Sequence, residues 1–254
     1  MLILFVFIAF IAGSALGSFL GVLVDRFPRG EQVLGGHSRC EKCKKALSPT
    51  DLVPIFSYIA LSGRCRYCHA KIPIRLFYIE IITGLLVSSF FFYAYFTNLP
   101  PIVFVLLLLS FLSLLGIFLA DSIYGIIPDE FIAAIIVSSL FLLLLSNPGS
   151  LVQNFITGIA CFTLFLALYL VTRGKGMGFG DVKFAFALGF FLGFPKVVIG
   201  LYAAFLTAAI VSIILILIGR KKLRGDTIVF GPFLAAGTVF AYFFGEKIIK
   251  LFLG

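Results

Sequence analysis

The chain has 254 residues, 61% of them hydrophobic, with a mean hydropathy of +1.18 and only 12% charged residues. A water-soluble globule, in which about 45 to 50% of residues are apolar, is excluded. The formal charge of +9 raises nucleic acid as a partner, but the cations fall in clusters between long apolar runs, a distribution that the positive-inside rule explains without any nucleic acid.

Apolar runs bounded by charges, Pro or Gly predict an all-α polytopic membrane protein with about eight transmembrane helices. They lie at 2–24, 76–98, 101–120, 130–146, 151–172, 182–195, 197–219 and 228–250, since about 20 apolar residues span a hydrocarbon core of about 30 Å. The first run lacks the positive n-region of a signal peptide and is read as an uncleaved anchor. Ten of the twenty basic residues lie between Arg26 and Arg75, none between Leu76 and Thr172, and four between Arg220 and Arg224. With the N-terminus outside, the loops at 25–75, 121–130, 173–181 and 220–227 are cytoplasmic and hold most of the positive charge. The sixth run is short, and Pro195 ends it.

Three parts follow: a first transmembrane helix at 1–24, a small cytoplasmic domain at 25–75, and a membrane domain at 76–254. The small domain carries four prolines and all but one of the five cysteines. At about fifty residues it is too small to hold itself together by an apolar core and calls for a metal, disulfides or a docking partner. Its stretch Leu52 to Leu61 is apolar enough to lie on the membrane or on the helix bundle. Cys40-Glu-Lys-Cys43 and Cys65-Arg-Tyr-Cys68, 21 residues apart, have the spacing of a two-knuckle zinc site. Each short turn aims two sulfurs at one ion, and four thiolates close a tetrahedron with no open position, so the role is structural. Arg39, Lys42, Lys44, Arg64 and Arg66 favour thiolate there, and a cytoplasmic setting disfavours disulfides. His37 and His69 stand close enough in sequence to replace a sulfur. Cys161, alone in an apolar run, reads as a small buried hydrophobe. The sequence shows no internal repeat.

Eleven residues are acidic, and an ionisable side chain at membrane depth is a functional candidate by default. Asp121 closes the third run with apolar residues on both sides. Asp181 follows Gly176-Met-Gly178-Phe-Gly180 and opens the sixth run at the same face. Gly176, Gly178 and Gly180 permit backbone conformations closed to other residues and let a second chain approach, which suits a loop that supports an acid against an extended peptide. Standing alone, Asp181 would read as a helix N-cap. Glu80 suits the N-terminus of the second helix and is a candidate for supporting the small domain. Asp129 and Glu130 are either favourable charges at the start of the fourth helix or receivers of a basic peptide.

Asp121 seven positions before Pro128-Asp129, followed by Gly176-Met-Gly178-Phe-Gly180-Asp181-Val-Lys183, resembles the two catalytic motifs of the type IV prepilin peptidases. The second is the GxGD signature, shared with presenilins and signal peptide peptidases. Gly17-Ser18-Phe19-Leu20, Arg26-Phe-Pro28, both cysteine pairs, Ser62-Gly63-Arg64-Cys65, Glu80 and Phe230-Gly231-Pro232-Phe233 resemble further blocks of that family in order, so the likeness covers nearly the whole chain. The resemblance implies an aspartyl endopeptidase of the bacterial inner membrane with Asp121 and Asp181 catalytic at the cytoplasmic face. It would remove a short basic leader from prepilin or pseudopilin substrates at that face, with the lipid bilayer as its other partner. It also implies N-methylation of the new N-terminus from S-adenosylmethionine, for which the residues themselves offer no fingerprint, Gly35-Gly36 being too little for a cofactor loop. Two other classes compete: a cation transporter using Asp121, Asp129, Asp181 and Asp226, and a zinc-stabilised membrane scaffold. Clustering of the acids at one face argues against the first. The second leaves Asp121 and the glycine-rich segment before Asp181 unexplained.

Overall fold

A computed structural model describes residues 2–30, 38–218 and 229–253. Asp226, His37 and Gly35-Gly36 lie outside the described residues. The described chain forms nine α-helices: α1 Leu2–Arg26, α2 Phe56–Ala60, α3 Ile74–Thr97, α4 Pro101–Tyr124, α5 Asp129–Ser146, α6 Leu151–Val171, α7 Phe179–Leu192, α8 Lys196–Leu217 and α9 Gly231–Leu253. Seven of them are long and apolar enough to cross a membrane, which gives the all-α polytopic class read from the sequence. The remaining expected span appears as α7, whose 14 residues reach about 21 Å, less than the thickness of the hydrocarbon core. Side chains such as Phe7, Val105, Ile156 and Ile213 point outward and exposed, as they should where the surrounding solvent is hydrocarbon.

The chain packs as two compact units, Met1–Phe104 and Val105–Gly254. In the first unit α1 and α3 run antiparallel at very short range. A Cβ added to Gly13 would lie 2.7 Å from Val87 Cβ, and one added to Gly17 would lie 2.9 Å from Glu80 Cα. Small residues one turn apart let two backbones touch, which is how membrane helices associate without a hydrophobic driving force. Arg75 joins Asp25 at 3.1 Å, closing the ends of the two helices from which the small domain projects.

In the second unit α7 is the buried member. Val182, Phe184, Ala185 and Ala187 have no exposed surface, and the helix packs against α5, α6 and α9. Gly189 on α7 meets Gly158 on α6 so closely that a Cβ on Gly189 would lie 2.8 Å from Gly158 Cα. Ser110 on α4 and Ser138 on α5 join through their hydroxyls at 2.7 Å, and each also bonds a carbonyl of its own helix. Polar groups buried at membrane depth are thus satisfied within protein. Cys161 is buried, as its apolar surroundings suggested.

Candidate active site and cysteine cluster

The sequence places Asp121 at the end of a helix, but α4 continues one turn further, to Tyr124. Asp121 is therefore inside the last turn, with 4% of its surface exposed. Its Oδ2 accepts a hydrogen bond of 2.9 Å from the backbone N–H of Gly231, the first residue of α9.

Asp181 is the third residue of α7 and is 6% exposed. It is not the N-cap; Gly178 is. The Asp181 Oδ2 reaches back to accept the Gly178 N–H at 3.1 Å, the carboxylate half of a capping box. Its Oδ1 is buried with no hydrogen-bond partner, a costly state for a carboxyl oxygen in a folded protein. The two carboxyl groups lie near enough for the charge of Asp121 to act on Asp181. Ile127, in the turn after α4, fills the space beside them: it is the nearest side chain to a Cβ built on Gly180, at 3.2 Å, and also neighbours Gly231.

Of the two uses expected of the glycine-rich segment, the unusual backbone conformation is not found at its three glycines. Left-handed backbone occurs at Arg173 and Gly174, not at Gly176, Gly178 or Gly180, and Gly178 has an ordinary extended conformation, with φ −77° and ψ 156°. The space beside Gly178 is open. A Cβ there would meet nothing nearer than Asp181 Oδ2 at 3.8 Å.

Asp129 begins α5 and is ion-paired with Lys183, two residues beyond Asp181 on α7. The sequence offers Asp129 no nearby cation; the fold brings one from 54 positions away. Glu130 is exposed beside it. Gly231, in the block Phe230-Gly231-Pro232-Phe233, has a contact with Asp121 that its sequence surroundings do not announce. The available signal, for the residue alone, is a glycine before a proline at the start of a helix.

In the small domain the sulfurs of Cys40, Cys43, Cys65 and Cys68 all lie within 4.8 Å of one another, and all four are free thiols. They can hold a metal ion. Two equivalent turns deliver them. Cys40 N–H donates to the Lys45 carbonyl and Lys44 N–H to that of Cys40, while Cys65 N–H donates to Ala70 and His69 N–H to Cys65. Lys44 and His69 take matching positive φ values of 58° and 53°. The structure thus contains a repeated knuckle that the residues hide, since few side chains other than the cysteines recur. The backbone N–H of Cys43, with that of Lys42 and the neighbouring thiols, holds the Cys40 thiol down at about 6, while against the Ala70 N–H, burial and the same neighbours push Cys68 up to about 11, so the cluster gives up its proton first at Cys40. Glu80 Oε2 accepts the Ile55 N–H at 2.7 Å, which ties the small domain to α3.

Residues 106–216 match the family model described as type IV leader peptidase family, and residues 11–95 match the bacterial peptidase A24 N-terminal domain. A relative from Burkholderia pseudomallei (strain 1026b) is 31% identical over 278 residues, covering 97% of this chain and 87% of its own. The chain belongs to the type IV leader peptidase family. Family relatives from Bacillus subtilis (strain 168), 28% identical with 97% of each chain covered, and from Pseudomonas aeruginosa, 28% identical with 98% and 93% covered, carry the same name as the Burkholderia protein, prepilin leader peptidase/N-methyltransferase. No solved structure matches.

Proposed function

We propose that this chain is a multi-pass inner-membrane aspartyl endopeptidase that removes the leader of prepilins and prepilin-like proteins and methylates the new N-terminus. The observation that carries the protease reading is the buried pair Asp121 and Asp181, each with one oxygen tied to a glycine N–H and with Asp181 Oδ1 left free. A carboxylate in that state is suited to take a proton from water. The water oxygen attacks the scissile carbonyl carbon, its proton passes to Asp181 Oδ1, and Asp121, protonated, donates to the carbonyl oxygen. Two carboxyls sharing one proton are the natural state of such a pair. Collapse of the tetrahedral adduct expels the amine, which takes its proton from the pair. Gly178, open at its Cβ position, and Gly176 and Gly180 around it form the ledge on which the extended peptide lies. Co-expression with a prepilin, followed by intact mass of the product, tests the whole reading: the pilin should lose its leader and gain one methyl group, and an unprocessed pilin beside stable enzyme would refute it.

The active site faces the cytoplasm and the N-terminus lies outside, because that arrangement keeps the Arg26 to Arg75 cluster on the cytoplasmic side. Functionally the chain divides into the helix 1–24, the metal domain 25–75 and the protease domain 76–254.

The metal is zinc. A tetrahedron of thiolates at a Zn–S length of about 2.3 Å has sulfur-to-sulfur edges of about 3.8 Å, and Cys40 Sγ and Cys68 Sγ stand 3.8 Å apart. Purified protein should hold about one zinc per chain, and single Cys→Ser changes should release it and loosen the small domain, because such sites contribute folding energy directly. Elemental analysis of freshly reduced protein that finds no metal would exclude zinc. For S-adenosylmethionine, the methyl donor implied by the family, a cavity of about 770 Å³ along α6 and α8 does not fit. No charged side chain lines it, whereas the donor carries an ammonium, a carboxylate and a sulfonium. No step is assigned to the donor.

Asp129 and Glu130 receive the basic leader by charge. Because Asp129 is already paired with Lys183, Glu130 is the freer of the two. Glu130→Gln should raise KM several-fold with kcat nearly kept and with weaker salt dependence, and Asp129→Asn should do less. A KM unmoved by the double change would end this assignment.

A further inference from the structure

The stretch Leu52 to Leu61 reads Leu-Val-Pro-Ile-Phe-Ser-Tyr-Ile-Ala-Leu, ten residues without a charge in the middle of the most highly charged part of the chain. Half of its residues are turned outward. Phe56 is 76% exposed and Ile59 62%, on a single turn of helix, and Leu52 and Val53 are also exposed. In a water-facing domain, large apolar groups left out in this number mark a contact surface.

The position of this surface says what covers it. Ile55 N–H is bonded to Glu80, and Tyr58 stacks on Phe77 with ring centroids 4.9 Å apart. Both anchors are on α3. Glu80 is the seventh residue of that 24-residue helix, about 9 Å from its start, and the helix is about 36 Å long. It exceeds a hydrocarbon core of about 30 Å by only one turn. An element held at the second turn of α3 therefore sits at the boundary between headgroups and acyl chains. On α3 itself, Ile74 and Tyr78 are exposed at this end, so the lipid-facing surface of the span continues at the depth of α2.

We infer that Leu52 to Leu61 is an in-plane membrane seat: Phe56 and Ile59 insert among the outer acyl carbons of the leaflet on the side of the cysteine cluster, and the bilayer is their partner. Glu80 and Phe77 set the depth, and the exposed Arg64 that follows the stretch lies at headgroup level, where cations are favoured beside anionic lipids. The small domain is thus held to the membrane by its own surface as well as by its two flanking helices, the mode of an interfacial apolar face with a cationic border.

The chain contains no tryptophan, so Phe56→Trp introduces a single reporter. The full-length variant, and separately Ile59→Trp, would be placed in vesicles of phosphatidylcholine and phosphatidylglycerol. Nitroxide would be carried either near the headgroup end of the acyl chain or near its methyl end. The expected result for both is blue-shifted emission, strong quenching by the shallow nitroxide, weaker quenching by the deep one and little by iodide. Glu41→Trp, on an exposed part of the first knuckle, should be quenched by iodide and by neither lipid. Red-shifted emission at 56 and 59 that iodide quenches would place the stretch in water and overturn the inference. Blue-shifted emission that neither nitroxide quenches would mean that protein covers it, and would overturn it equally. Retained zinc and normal melting of each variant certify that the reporter reads the native domain.

Discussion

Asp121→Asn and Asp181→Asn should each lower leader removal by about a thousand-fold or more, the scale seen when a residue acting within a catalytic unit is lost. Folding should survive both changes. The asparagine amide oxygen can still accept the Gly231 N–H at position 121 and the Gly178 N–H at position 181, the bonds that the carboxylates make now. What the amide cannot do is exchange a proton with water, and at Asp181 it would also bring an NH2 group to the place of the unpartnered Oδ1. The measurement is single-turnover cleavage of a purified prepilin, with zinc content and thermal melting as controls for structure. Asp129→Asn, which breaks an exposed ion pair with Lys183 and touches neither member of the carboxyl pair, should keep measurable activity. Near wild-type processing by either well-folded catalytic-pair variant would defeat the aspartyl mechanism.

Gly231→Ala is the second change with a large expected effect, and its cause is steric. The new Cβ would stand 2.5 Å from Asp121 Oδ2 and 3.2 Å from Ile127 Cδ1. The first contact is impossible without movement, and what moves is the carboxyl group whose place the glycine N–H now fixes. A displacement of about 1 Å at a reacting group can cost about 100-fold in rate, so kcat should fall by about that factor with KM little changed. Gly245→Ala, on the same helix, meets only Lys196 at 3.4 Å and serves as the harmless comparison. Packing and positioning can be separated by adding Ile127→Val, which removes the Cδ1 atom. If Gly231→Ala acts by crowding Ile127, the double variant regains activity. If it acts on Asp121, as argued here, the double variant stays slow. Full activity of Gly231→Ala beside dead Asp→Asn variants would retire the glycine's role and leave the aspartyl pair standing.

Much of this was legible because it is local. Two residues between cysteines define a knuckle, and an apolar run of twenty residues defines a span, wherever the rest of the chain goes. The acids stood out because so few exist in so apolar a chain. What stayed hidden depends on contacts across sequence. The bond from Gly231 to Asp121 crosses 110 positions, and nothing around either residue announces the other. Lys183 reaches Asp129 over 54, so a carboxylate that looked unaccompanied is paired. The extra turn of α4 is hidden for another reason: a charge marks the end of an apolar run but not of a helix, whose backbone continues through Asp121 because its ladder of hydrogen bonds does not depend on side-chain polarity. The glycines of the GxGD segment offer, on sequence alone, both unusual dihedral angles and room for a second chain. At Gly178 the backbone is one that any residue adopts, so no unusual dihedral angle calls for glycine there.

The shortness of α7 bears on what holds it in the bilayer. A segment of 14 residues that opens with an aspartate and a lysine is a poor candidate for partition into lipid, where charged residues carry a penalty and length is insufficient. Its neighbour α6, at 21 residues, has no such handicap. The pair touch backbone to backbone at Gly158 and Gly189, and the Asn154 amide of α6 donates to the Phe190 carbonyl of α7 at 2.9 Å. The contacts with α6 therefore supply to α7 the hold in the bilayer that its own length and composition lack. Asp181 sits at the tip of that helix, so the place of the carboxyl proposed as catalytic depends on the packing of α6 against α7.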